Sequence, residues 1–360
     1  MQNHLTAFPN FVFKTEMMTF QRCPQIYLIF FICFLAAACK NKTEVDVSHI
    51  SVSVPFERFD KELSDLKPNQ LSDKAPQLKQ KYSHFYADYM ESMLGVGPVT
   101  DTAYYSALRI VLANKDYREL ADEVNRTFPN MAVRQNELTD ALKQIRYYYP
   151  KQKLPRLITF FSGFALQTPV GNDYIGIGLD MFLGRDSKFY PALVQSIPQY
   201  ISRRFTPENI TPRVMEGFIR EDMFPDKDAD RSLLSKMIYN GKILYMMDAV
   251  MPAVADSLKI GYSNQQMEWV SEYQPDVWAY FLENNLLYET DYLKIQRYLT
   301  DAPFTPGIGE NSKSAPKLGV YIGWQIVKKY MAKNPDVTLQ QLMAEPDSQK
   351  ILNSSKYKPK

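Results

Sequence analysis

The chain holds only three histidines and three cysteines in 360 residues, and these scarcities exclude much chemistry. A zinc hydrolase of the HExxH type needs two histidines one helical turn apart, so that both imidazoles face one metal while the glutamate polarises its water. Beyond residue 38 only His49 and His84 remain, and neither stands in that motif. His84 falls in an aromatic stretch of helical spacing and His49 in a polar segment, so each reads as a packed or surface side chain rather than a ligand. Nucleophilic catalysis lacks parts as well. Ser162 in FFSGF has no GxSxG elbow, and histidine is too scarce to supply an obvious base. The GIG at 176–178 is not a dinucleotide fingerprint, because Met181 occupies the place of the third glycine. No metal site, cofactor or catalytic residue is expected.

A long apolar run is also missing. The segment Ile26 to Ala38 is apolar throughout but short of the roughly 18–20 residues that span a bilayer. With Arg22 ahead of it and Ala36 to Ala38 at its end, it reads as an export signal covering residues 1–38. The sequence LAAAC resembles a bacterial lipobox, which makes Cys39 the lipidated first residue of the mature chain; the alternative is a plain export signal that ends beside a cysteine. Cys23 and Cys33 lie in the segment removed, so Cys39 has no partner for an intramolecular disulfide. Membrane lipid, joined through the acylated Cys39, is the first expected partner.

Charge of one sign is not in excess either. A formal net charge of +2 gives no broad attraction to nucleic acid. Lys40, Lys42 and the closing Lys356, Lys358 and Lys360 are local basic tails.

What the chain has in abundance is aromatic residues, 24 Tyr and 21 Phe, many at helical spacing, whose default role is core packing. Residues 39–50 read as a polar tether and 51–360 as a single domain. A short strand is expected where Val52, Val54 and Phe56 alternate, ending near Pro55. Leu78, Tyr82, Phe85, Tyr89 and Met93 predict a helix over 72–93, and similar stripes follow to Tyr149. LPRLITFFSG (154–163) and DYIGIGLDMFLG (173–184) predict two strands around a turn at Gly171 and Asn172. The fold class is therefore α+β, predominantly helical with a small antiparallel sheet. In the second strand Gly176 and Gly178 leave one face nearly bare, for a tightly packed helix or for close approach of a bound ligand or extended peptide. Gly241, inside a helical segment, points to a close helix contact. FTPGIGENSKSAP reads as a long loop, and LGVYIGWQIVKKYM as a helix.

Carboxylates supply the remaining candidates for acid or base: Asp180, Glu216, Glu221, Asp222 and Glu310. Each has a plainer role. Glu216 stands four residues before Arg220, the spacing of a helix-surface ion pair; Asp180 could cap a turn and Glu310 could solvate its loop.

Together FERFDKEL (56–63), YIGIGLDMFLG (174–184), GKILYMMDAVMP (241–252), FTPGIGENS (304–312) and GVYIGWQIVKKYM (319–331) resemble the gliding-motility lipoprotein B family of Bacteroidota, over most of the mature chain. That family in turn looks like a relative of zincin-type metallopeptidases, in which an edge strand lies above a cleft and an active-site helix beneath it. The resemblance implies a zincin-like domain in which the glycine-bearing strand is the edge strand. The segment Ile210 to Met223 would be the former active-site helix, with VMEGFIRED in place of HExxH. It implies a non-catalytic, membrane-tethered accessory of the gliding and associated secretion machinery, with envelope proteins of that machinery as partners. The alternative is a divergent peptidase or hydrolase using the same cleft. Lysines rather than an acidic run after Cys39 favour the periplasmic side, on either membrane. The candidate contact face comprises Tyr174, Gly176, Gly178 and Trp324.

Overall fold

Pro55 has no amide hydrogen to give to a ladder, yet its carbonyl accepts the Leu157 amide at 2.9 Å, and the first strand starts just after it. The computed structural model describes residues 45–309 and 314–360; the expected leader, Cys39 and Glu310 lie outside the described residues. Strand β1 is Phe56–Arg58, β2 Arg156–Phe160 and β3 Tyr174–Gly178. The strand expected to end near Pro55 thus begins beyond it.

The sheet has the order β1-β2-β3 and both pairings are parallel, with Phe56 opposite Leu157 and Ile158 opposite Gly176. The sheet is thus parallel and not antiparallel as expected. Parallel neighbours need a crossover of about a dozen residues or more, and residues 161–173 supply it without a helix. Within that crossover the chain runs back along the outer side of β3: Gly178 N–H donates to Gln167 O at 2.9 Å, Gly176 N–H to Pro169 O at 2.8 Å and Gly171 N–H to Tyr174 O at 2.9 Å. The turn at Gly171 and Asn172 is therefore real, but its antiparallel partner is this return segment, Gln167 to Gly171, and not β2.

A parallel sheet is covered on both faces. The principal helices are α1 Leu71–Tyr82, α2 Tyr104–Ala113, α3 Lys115–Thr127, α4 Ala132–Tyr148, α5 Ile210–Gly217, α6 Leu233–Val250 and α7 Leu318–Lys333. One face, carrying Ile158, Phe160 and Tyr174, meets an aromatic layer from the N-terminal helices. There Phe59 contacts Tyr82, Phe85 and Tyr89 with ring centroids 4.8, 5.0 and 4.9 Å away. The helix expected over 72–93 is interrupted in this layer. Ser83 takes φ 50°, so α1 stops at Tyr82 and a new helix begins at His84. The other face, carrying Leu157, Ile175, Ile177 and Leu179, packs on the larger core built from α3 to α7.

In that core α6 crosses α7 at Gly241 and Gly323. A Cβ on Gly323 would lie 1.9 Å from the Met237 carbonyl oxygen, so the contact expected of Gly241 is made backbone to backbone. Beside the crossing, Asp248 is buried and accepts from Lys259 Nζ at 2.8 Å and from Trp324 Nε1 at 2.9 Å. The long loop after Phe304 is closed at its base: the Thr305 amide donates to Ser314 Oγ at 3.0 Å and the Thr305 hydroxyl to Ala315 O at 2.8 Å. Residues 46–360 form one compact unit. Among the described residues no helix is long and apolar enough to cross a membrane.

Candidate functional site: a charged cleft beneath a free strand edge

The return segment leaves an edge. Gln167, Pro169 and Gly171 turn their peptide groups to β3, so those of Thr168 and Val170, alternating with them, point outward. Among the described residues neither amide nor carbonyl of Thr168 or Val170 makes a hydrogen bond. These unpaired groups lie over α5, where a Cβ on Gly217 would stand 3.5 Å from Val170 Cγ2 and 3.7 Å from the Thr168 carbonyl oxygen.

Helix α5 forms because Pro212 falls in its first turn, where an amide hydrogen has no intrahelical partner anyway, and because Ile210, Val214 and Met215 bury one face. The chain then widens into a π turn over Phe218–Met223. Its polar side carries Arg213, Glu216 and Arg220 into a cavity of about 470 Å³, closed opposite by Arg204, Asp301 and Lys317 and roofed by Gln167 and Thr168.

Of the three carboxylates lining this cavity, Glu216 and Asp301 are paired with its four cations. Glu216 is paired with Arg213, and with Arg220 at 3.1 Å as the spacing predicts. Asp301 is paired with Arg204 at 2.8 Å and Lys317 at 3.0 Å. Arg213 also donates to Leu258 O at 2.9 Å and to Lys259 O, while its Nε is buried without an acceptor. Lys317, held in a left-handed conformation at the start of α7, donates to Ile260 O at 2.7 Å. Burial favours the neutral form of Glu216, but Arg213, Arg220 and Lys317 outweigh it and hold the carboxyl below its usual range. Burial likewise opposes the charge on Asp301, and Lys317 and Arg204 overcome it, leaving the carboxyl well below the ordinary range. Lys317 is pushed down by burial to about 8, against the pull of Asp301.

Of the residues singled out from the sequence, the structure brings Glu216 and Glu221 to this cleft, Glu221 at its exposed mouth. Asp222 is exposed and accepts from Gln152 at 2.9 Å. Asp180 is wholly buried and caps the chain leaving β2, accepting from Ser162 N–H at 3.0 Å and Phe164 N–H at 2.6 Å. The expected contact face is not open. Tyr174 is buried and bonded to Asp88 at 2.7 Å, and Trp324 lies in the α6–α7 core. Added Cβ atoms would meet Phe160 at 2.7 Å from Gly176 and the Leu166 carbonyl oxygen at 2.1 Å from Gly178. The bare face is filled by the chain itself, and the free edge lies one segment farther out. His84 stands 3.5 Å from Asp173, far in sequence from α5. Among the described residues no group of three or more His, Cys, Asp or Glu is placed to hold a metal ion. Sequence reasoning missed Arg204, Arg213, Asp301 and Lys317, which come from three distant stretches; only Arg213, three residues before Glu216, carried a local signal.

The chain matches the family model described as gliding motility protein GldB over residues 40–359, and it belongs to that family. No curated protein matches it. No solved structure matches it either.

Proposed function

From membership in the gliding motility GldB family we propose a non-catalytic accessory protein of the cell envelope, tethered through a lipidated Cys39, facing the periplasm and serving the gliding and associated secretion machinery through protein contacts. The observation that carries the contact reading is the free edge at Thr168 and Val170 above the charged cleft. Unpaired edge groups accept an extended segment by backbone pairing, and the cavity below gives room for its side chains. The chemistry of Glu216 supports binding over catalysis. A carboxylate held ionised by two guanidiniums is a weak general base, since an effective one titrates near the working pH.

The test is deletion of the gene in a gliding host and rescue with Thr168→Pro and Val170→Pro. Proline removes an edge amide that bonds nothing in the fold, so the internal pairing survives while an added strand loses its acceptor-facing donors. Loss of spreading with normal protein level and localisation is expected. Full rescue removes the edge from the contact; normal spreading of the deletion itself removes the process.

The second reading is a divergent peptidase, favoured by a strand edge set above a helix. It requires stoichiometric metal in protein purified without chelator, and peptide turnover that is lost on replacing Glu216 or Glu221.

A further inference from the structure

Behind Arg204 lies a second cavity, of about 420 Å³, lined by Arg185, Arg203 and Arg204 with Asn209, Ser257 and Ser263 among its polar neighbours, and by no carboxylate. Arg203 is fixed only by neutral acceptors. Its Nε donates to Tyr200 O at 3.1 Å, and its Nη2 to Gly261 O at 3.0 Å and to Gln266 Oε1 at 2.8 Å. Gly261, at φ 80°, supplies the turn that offers its carbonyl. Arg185 is exposed and makes no ion pair among the described residues. Glu208 senses Arg185 and Arg134 but does not line the cavity. Arg204 shares its one carboxylate, Asp301, with Lys317.

Three guanidiniums therefore converge on a space that no carboxylate lines, with Asp301 and Glu208 acting on them from outside it. Burial works against the charge on Arg203 and repulsion from Arg204 and Arg185 adds to it, while Asp301 partly offsets them. An arrangement of this kind is relieved by an anion. Guanidinium N–H groups are strong donors to phosphate or carboxylate oxygens, and among the described residues Arg203 keeps Nη1 for such an acceptor, its Nε and Nη2 being bound to the chain. A phosphate group offers three acceptor oxygens and close to two negative charges near neutral pH, whereas a carboxylate offers two oxygens and one charge. We propose that this cavity is a binding site for a phosphate group, gripped by Arg203 and Arg204 from the wall and by Arg185 from the rim. The site is separate from the strand edge, and its existence does not rest on that edge being a contact.

Two sources present phosphoryl oxygens to guanidiniums: a terminal phosphate monoester, with three acceptor oxygens and close to two charges, and the phosphodiester of a glycerophospholipid headgroup, with two oxygens and one charge. Isothermal titration of the purified full chain in detergent, with inorganic phosphate in one arm and glycerophosphoglycerol in the other, separates them. Arg185→Gln removes no hydrogen bond made among the described residues and is expected to weaken binding about tenfold, as the loss of one charge-assisted contact does. Arg203→Gln is expected to abolish binding, and Lys329→Gln, at an exposed position elsewhere on α7, to leave it unchanged. Heat from inorganic phosphate alone assigns a monoester ligand. Heat from the diester alone, or from both, assigns a headgroup-type ligand. Absence of binding in both arms overturns the proposal, and so does binding that survives Arg185→Gln undiminished, which keeps the test independent of whether Arg203→Gln folds.

Discussion

Gly241 and Gly323 meet backbone to backbone: a Cβ on Gly241 would stand 2.4 Å from the Gly323 carbonyl oxygen. No side chain separates α6 from α7 there. Gly323→Ala, whose methyl would sit 1.9 Å from the Met237 carbonyl oxygen, forces the helices apart, and overpacking of this kind costs about 1–3 kcal/mol. It exceeds the gain of about 1 kcal/mol from replacing glycine inside a helix. Gly217→Ala is the control, since its methyl meets only ordinary contacts at 3.5 Å and beyond. Urea denaturation should show Gly323→Ala destabilised and Gly217→Ala unchanged or more stable. Equal effects at the two sites would refute the crossing.

Asp180 makes stability depend on pH. Burial raises its carboxyl to about 6 despite hydrogen bonds from the backbone of Phe164 and Ser162. The folded state therefore holds the proton more tightly than the unfolded chain, whose value is 3.8. The contribution is fully present below that value and is lost as pH rises through about 6. Its size is roughly 3 kcal/mol, at 1.36 kcal/mol per unit. Asp180→Asn keeps an acceptor oxygen for both amides and removes the titration. Denaturation midpoints at pH 4.5 and 7.5 should show the variant gaining on the wild type at the higher pH; parallel shifts would count against this account.

Asp248 neutralises Lys259, whose side chain is only 3% exposed. Asp248→Ala leaves that ammonium without its buried partner and removes the acceptor of the Trp324 indole. Breaking one side of a buried pair costs about 3–5 kcal/mol. Chemical denaturation followed by tryptophan emission measures it. A loss below 1 kcal/mol, on the scale of a surface pair, would mean that Asp256, 3.4 Å from the Lys259 ammonium, or water compensates the charge.

Cys39 is expected to carry lipid. Labelling cells with a palmitate analogue should mark the wild type and leave Cys39→Ala unmarked. Equal labelling of the two would eliminate the anchor.

Local patterns showed most of the helices and the positions of two strands. The alternation of Ile175, Ile177 and Leu179 was legible because it lies within five residues, and the turn at Gly171 announced itself by composition. Parallel pairing was not legible, because whether β3 runs parallel or antiparallel to β2 depends on how residues 161–173 are routed, and that routing is fixed by long-range bonds such as those of Asp180 with Ser162 and Phe164. The glycines at 176 and 178 signalled close approach correctly, but nothing local indicated that Pro169 and Leu166 of the same chain would do the approaching. In the cleft, the Glu216–Arg220 pair was readable from its spacing. Arg204, Asp301 and Lys317 were not, since charges that far apart in sequence reveal their convergence only once the helices pack.

Arg204 stands in the wall common to both cavities, bonded to Asp301 on the cleft side. A single guanidinium cannot give the same donors to two acceptors. An anion that draws Arg204 away from Asp301 leaves that carboxylate to Lys317 alone and alters the field that an occupant of the cleft experiences. By thermodynamic reciprocity the occupant must change the affinity for the anion by the same factor. Where an anion draws on Arg204 in this way, the shared wall links the two cavities, and occupancy of one changes the affinity of the other without movement of a domain.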